Sequence, residues 1–76
     1  MDNYTEEIEM LKSRYKEYKL RISEFRKKGI DSSIANLMIM NVLPKIQMAE
    51  VTSELKDIKK AIDSLDRVNI ELNKLQ

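Results

Sequence analysis

The chain has no cysteine, no histidine and no tryptophan, and it has a single glycine and a single proline. Each shortage removes a class of function. Without cysteine there is no disulfide framework and no thiolate metal site. Without histidine the commonest metal ligand and the commonest general base are both gone. One glycine cannot build a phosphate-cradling loop of the P-loop or dinucleotide type, each of which needs several. The longest apolar run is Leu37-Met38-Ile39-Met40, against the roughly 18 consecutive apolar residues that mark a membrane-spanning helix. The first residues, MDNYTEE, are acidic where a secretion signal would be basic. These shortages set the expectation of a cytoplasmic, non-enzymatic protein with no catalytic residues, no cofactor, no metal and no small-molecule substrate.

What is present is helix-forming. Of the 76 residues, 36% are charged and 42% hydrophobic, a balance typical of helical proteins rich in Lys, Glu, Leu and Ile. The chain is short enough to be one domain, residues 1–76. A monomer of this size buries only about 60% of the surface that its unfolded chain exposes. With disulfides excluded, oligomerisation is the remaining common source of extra stability.

The first helix is marked by Tyr4, Ile8, Leu11, Tyr15, Tyr18, Ile22 and Phe25, spaced alternately by four and three residues. That spacing is a heptad seam, with Ile8, Tyr15 and Ile22 at a and the others at d. Asn3 and Glu6 are placed as a capping pair, and Gly29 supplies the left-handed residue that ends a helix. The predicted span is 4–28. A second segment, 32–40, is capped by Asp31 or Ser32, and its apolar side chains occupy most of its circumference. A third, 44–75, carries Leu55, Ile58, Ile62, Leu65 and Leu72 at heptad spacing, with Asn69 at the remaining a position and Val68 and Leu75 on an adjacent line. The seam therefore either buries Asn69 or drifts onto that adjacent line.

Pro44 falls beside the most apolar stretch, NLMIMNVLPKIQM. Inside a helix it would cost about 3 kcal/mol, whereas in a first turn its missing N–H has no partner to lose. Counting from Asn41 as N-cap places Pro44 at the third helical position, so the helix is expected to break around 41–43; the alternative is a single helix over 32–76 kinked at the proline. The expected fold is all-α: an antiparallel, coiled-coil-like hairpin of two long helices with a short apolar helix at the bend. Two helices cannot cover a segment that is apolar most of the way round. Ile34, Leu37, Met38, Ile39, Met40, Val42, Leu43 and Met48 are therefore the candidate interface, for a homo-oligomer (a dimer is favoured) or for another protein.

Charge suggests a second function. Residues 1–11 carry four acids and no base, and residues 12–28 carry eight bases against two acids. Lys12, Lys19 and Arg26 take the e positions and Arg14, Arg21 and Lys28 the g positions, so both flanks of the first seam are positive. Such a face suits phosphate on nucleic acid or on an anionic membrane. The plainer reading is a solvated face whose long stems lie over the core edge, with Glu17–Arg21 and Glu24–Lys28 pairs. That reading is preferred, because the net charge is only +1 and no aromatic is spare to stack on bases. Glu6, Glu7 and Glu9 could share a cation, but carboxylates in a first turn are accounted for by the helix dipole.

Overall fold

The computed structural model describes residues 4–76. Asn3, the proposed first cap, lies outside the described residues. Four helices follow in order: α1 Thr5–Lys27, α2 Ser33–Met40, α3 Val42–Thr52 and α4 Leu55–Lys74. They form a rod of 46 × 16 × 16 Å. The protein is all-α among the described residues.

The α1 seam folds as its spacing requires. Ile8, Leu11, Tyr18 and Ile22 are buried, and Tyr4, Tyr15 and Phe25 pack against them at the edge. Gly29, at φ +80°, ends the helix. The Ile30 amide donates to the Phe25 carbonyl at 2.9 Å and the Gly29 amide to that of Arg26 at 3.0 Å, a Schellman closure. At the start of α2, the Asp31 carboxylate accepts from the Ser33 amide at 3.0 Å and from the Ser33 hydroxyl at 2.7 Å. These bonds hold Asp31 below the usual carboxylate range.

The stretch expected as one helix over 44–75 is two. Ser53 adopts φ +53° and Glu54 is extended, and the chain reverses there. Side chains fasten the corner: the Thr52 hydroxyl donates to buried Asp57 at 2.6 Å and accepts from the Glu54 amide at 3.2 Å. This reversal changes the architecture. Arg14 meets Asp66, and Arg21 meets Asn69 and Asn73, so α1 and α4 lie side by side but run the same way. Lys12 meets Glu50, and Lys19 shares a groove with Leu43, so the α2–α3 leg runs against α1. In place of two long antiparallel helices, three legs pack together, up, down and up.

The break near Pro44 is a single residue. Asn41 keeps helical angles (φ −82°, ψ −10°) and its side chain makes no cap; its amide donates to the Met38 carbonyl at 3.1 Å. Pro44 and Met40, whose carbonyl loses its partner, are both exposed. The disruption thus lies on the solvent side of the leg, where it is least costly. On α4 the buried line is Ile58, Ala61, Leu65, Val68 and Leu72. The seam has moved to the adjacent line, and Asn69 sits at its edge.

The two left-handed positions respond oppositely to substitution. Nothing lies within 4 Å of where a Gly29 Cβ would stand, so Gly29→Ala costs only the conformational penalty, about 1 kcal/mol. Ser53→Gly removes that penalty and is expected to gain up to about 1 kcal/mol. Each change shifts Tm by about 4–8 °C in a domain of this size, downward at 29 and upward at 53, measurable by thermal denaturation.

Candidate partner surface

The apolar segment 34–48 divides cleanly. Ala35, Ile39, Val42, Ile46 and Ala49 recur at three- and four-residue steps and are buried against α1 and α4. The Ile39 and Val42 side chains are 2% and 0% exposed, so the expectation that they belong to an interface is corrected: they are core. The reason is the third leg. A helix held between two neighbours can bury its whole inner half, and no second subunit is needed to cover it. Met38 is half-buried against the same core.

The outer half remains uncovered. Ile34, Leu37, Met40, Met48 and Val51 are exposed, with Leu37 at 62%, Met48 at 54% and Val51 at 82%. On the helical wheel Leu37, Met40, Asn41, Pro44, Met48 and Val51 lie within about 60° of the direction opposite the buried line, and Ile34 lies at the edge of that sector. Leu55, 46% exposed, opens α4 beyond the corner. Between Ser32 and Ala49 the only charged residue of this leg is Lys45. Leu43 stands to one side, 38% exposed, in the groove shared with α1. Of the eight expected interface residues, Ile34, Leu37, Met40 and Met48 share one outward face. Val51 belongs with them. Their signal was the spacing 34, 37, 41, 44, 48, 51, with Met40 beside it, a line visible only once the inner line is assigned.

Grooves flank this ridge on both sides. One, of about 470 Å³, runs between α3 and the start of α4, lined by Pro44, Lys45, Met48, Lys56 and Lys60 among others. The other, of about 450 Å³, runs between α3 and α1, lined by Lys12, Tyr15, Lys16, Lys19 and Leu43 among others.

The six basic residues expected to form an anion-binding face, Lys12, Arg14, Lys19, Arg21, Arg26 and Lys28, do not form one face. Lys12 and Lys19 flank the α3 side, and Arg14 and Arg21 flank the α4 side. Several are also engaged within the bundle. Lys12 pairs with Glu50 and Glu9, and the hydrogen bond to Glu50 is the main cause that raises its pKa. Arg14 binds Asp66 at 2.8 Å and the Tyr18 hydroxyl at 2.9 Å. Burial opposes its charge, but the Tyr18 hydroxyl and Asp66 outweigh burial and hold it above its ordinary value. Arg21 donates to the side-chain oxygens of Asn69 and Asn73 at 3.4 and 3.5 Å, and Lys19 stands over the Tyr15 ring. Arg26 and Lys28 are exposed. The expected Glu17–Arg21 and Glu24–Lys28 pairs are not among the ion pairs of the described residues.

Among the described residues, no helix is long and apolar enough to cross a membrane, and no group of three or more acidic side chains is placed to hold a metal ion. Comparison with protein-family models, with curated proteins and with solved structures finds no match to the chain.

Proposed function

We propose that this chain is a non-enzymatic helical interaction module that docks a partner through the outward face of the α2–α3 leg. One observation carries the reading: of the three legs, this one alone turns a series of large apolar side chains to solvent on one side, with Pro44 between Met40 and Met48. The outer face of α1 carries Glu6, Glu9, Lys16, Glu17, Glu24 and Lys27, and that of α4 carries Lys56, Lys59, Asp63, Arg67 and Lys74. Met10, Leu20 and Ile70 are exposed singly among those charges, which is ordinary for a protein surface. Five large apolar side chains, Ile34, Leu37, Met40, Met48 and Val51, turned outward on one leg are not. Its methionines suit a surface that must fit another protein's side chains.

The phosphate-binding alternative loses ground. Lys12, Arg14 and Arg21 serve the bundle, and the remaining bases lie on opposite flanks of α1.

Because the chain has no cysteine, one introduced thiol can carry a photo-crosslinker at a single chosen position. Adducts are expected from Leu37→Cys and Met48→Cys in cells making the protein, and not from Asp63→Cys on the outer face of α4. Equal labelling from all three positions would refute the assignment of the face.

A further inference from the structure

We infer that the occupant of the α2–α3 face is an acidic amphipathic helix of another protein, not a second copy of this chain. This rests on the reading above and adds the partner's chemistry.

The rim of the face is positive on both sides. Six lysines line the two grooves, Lys45, Lys56 and Lys60 on the α4 side and Lys12, Lys16 and Lys19 on the α1 side. Three carboxylates stand among them, and the two that are ion-paired balance Lys12 and Lys56, which leaves four lysines against Asp57. Glu50 pairs with Lys12, Glu54 with Lys56 at 3.5 Å, and Asp57 accepts from Thr52. Lys16, Lys19, Lys45 and Lys60 have no ion pair among the described residues.

Two copies joined through this face meet a charge conflict in either orientation. Antiparallel pairing sets each lysine groove against its own copy, and parallel pairing sets one lysine groove against the other. Like charges facing across an interface select against that partner. A helix with an apolar stripe and glutamate or aspartate on both edges meets the ridge and both rims favourably.

The shape agrees. The row from 34 to 51 lies along one leg, and its two flanking grooves are concave, suited to convex side chains. A helix of about 20 residues spans the row, in the helix-in-groove mode of recognition. A flat anionic bilayer fits less well, since the outward row has no aromatic residue to anchor in the headgroup layer and Tyr15, in one flanking groove, is half-buried against the core.

Three probes decide among these. The first is a synthetic helix of about 20 residues with leucine at a and d and glutamate at e and g. The second is the same helix with lysine at e and g, and the third is vesicles of phosphatidylcholine and phosphatidylserine. The whole chain is expected to sediment as a monomer at tens of micromolar and to bind the glutamate helix but not the lysine helix. Binding is expected to weaken about tenfold or more between low and high salt. Lys45→Gln with Lys60→Gln is expected to weaken it by about tenfold with an unchanged circular dichroism spectrum, and Leu37→Glu to abolish it. A dimer at that concentration, equal binding of both helices, binding to vesicles alone, or binding to no probe would each overturn the acidic-helix assignment. If a dimer or vesicle complex is lost in Leu37→Glu, the face itself still stands as the contact surface. If some complex forms and Leu37→Glu leaves it unchanged, the interaction reading falls as well.

Discussion

Ile39→Asp is expected to abolish cooperative folding at 25 °C, whereas Leu37→Glu, two residues away, is expected to leave Tm within a few degrees of the parent. Both positions lie in the same apolar run, and both changes introduce a carboxylate. The difference is which way each side chain points. Ile39 is 2% exposed in the core between α1 and α4, and Leu37 is 62% exposed. Burying an unpaired carboxylate costs several kcal/mol even after the protein relaxes, and loss of the isoleucine removes about 1.5–3 kcal/mol more. A chain of 76 residues has only about 4–11 kcal/mol in hand at typical values per residue. A surface change away from caps and pairs stays within about 0.5 kcal/mol. Thermal denaturation by circular dichroism separates the two directly, and similar losses of Tm in both variants would show that the inner and outer halves have been misassigned.

Leu65→Ala carries the second large effect. Leu65 is fully buried at the middle of the α4 line, where α4 faces both other legs. Truncating a buried leucine costs about 2–5 kcal/mol, the spread reflecting how far the cavity can collapse. In a three-legged bundle the walls belong to three separate helices tied by short loops, so collapse at one wall opens a gap at another. A loss near the middle of that range, about 3 kcal/mol, is therefore expected, seen as a fall in Tm of at least about 10 °C. Leu55→Ala removes the same side chain from a 46% exposed position on the same helix and is expected to change Tm by no more than a few degrees. Comparable losses at 55 and 65 would mean that the α4 seam includes Leu55, as its heptad spacing first suggested, and does not turn aside to Ala61 and Val68.

How much of this was readable from the residues follows from what each feature depends on. The α1 seam was legible because Tyr4 to Phe25 repeat without interruption and Gly29 punctuates the end. Pro44 was legible as a first-turn residue, and it stands at the third position after Asn41. The reversal at Ser53 was not legible. It has neither glycine nor proline, it uses a serine in a left-handed conformation, and Val51 and Leu55 continue the apolar spacing through it. Its fastening, Thr52 to Asp57 across five residues, is a local side-chain bond that resembles ordinary polar surface until the corner exists. Missing that corner removed a whole leg, and the rest followed. With two helices the apolar segment seemed impossible to cover, so all of it read as interface. With three, its inner line is core and only the outer line remains.

The small residues show the same limit. Ala35, Ala49 and Ala61 are 1%, 0% and 0% exposed, at positions where legs approach each other, yet alanine is neutral in any reading of apolar spacing. The basic flanks of α1 were legible as charge but not as geometry. Arg14 finds Asp66 on α4, and Lys12 finds Glu50 on α3.

The central claim, that the outward row on α2–α3 is the contact surface, can be tested with probes already in the chain. Met10 on α1 is 63% exposed, and Met40 and Met48 on the row are 61% and 54% exposed, so in the isolated protein the three should oxidise at similar rates under mild peroxide. In the protein as it stands in its own cells, Met40 and Met48 are expected to be protected relative to Met10, read as sulfoxide ratios by mass spectrometry. Equal oxidation of all three in the cell would contradict the assignment of that face.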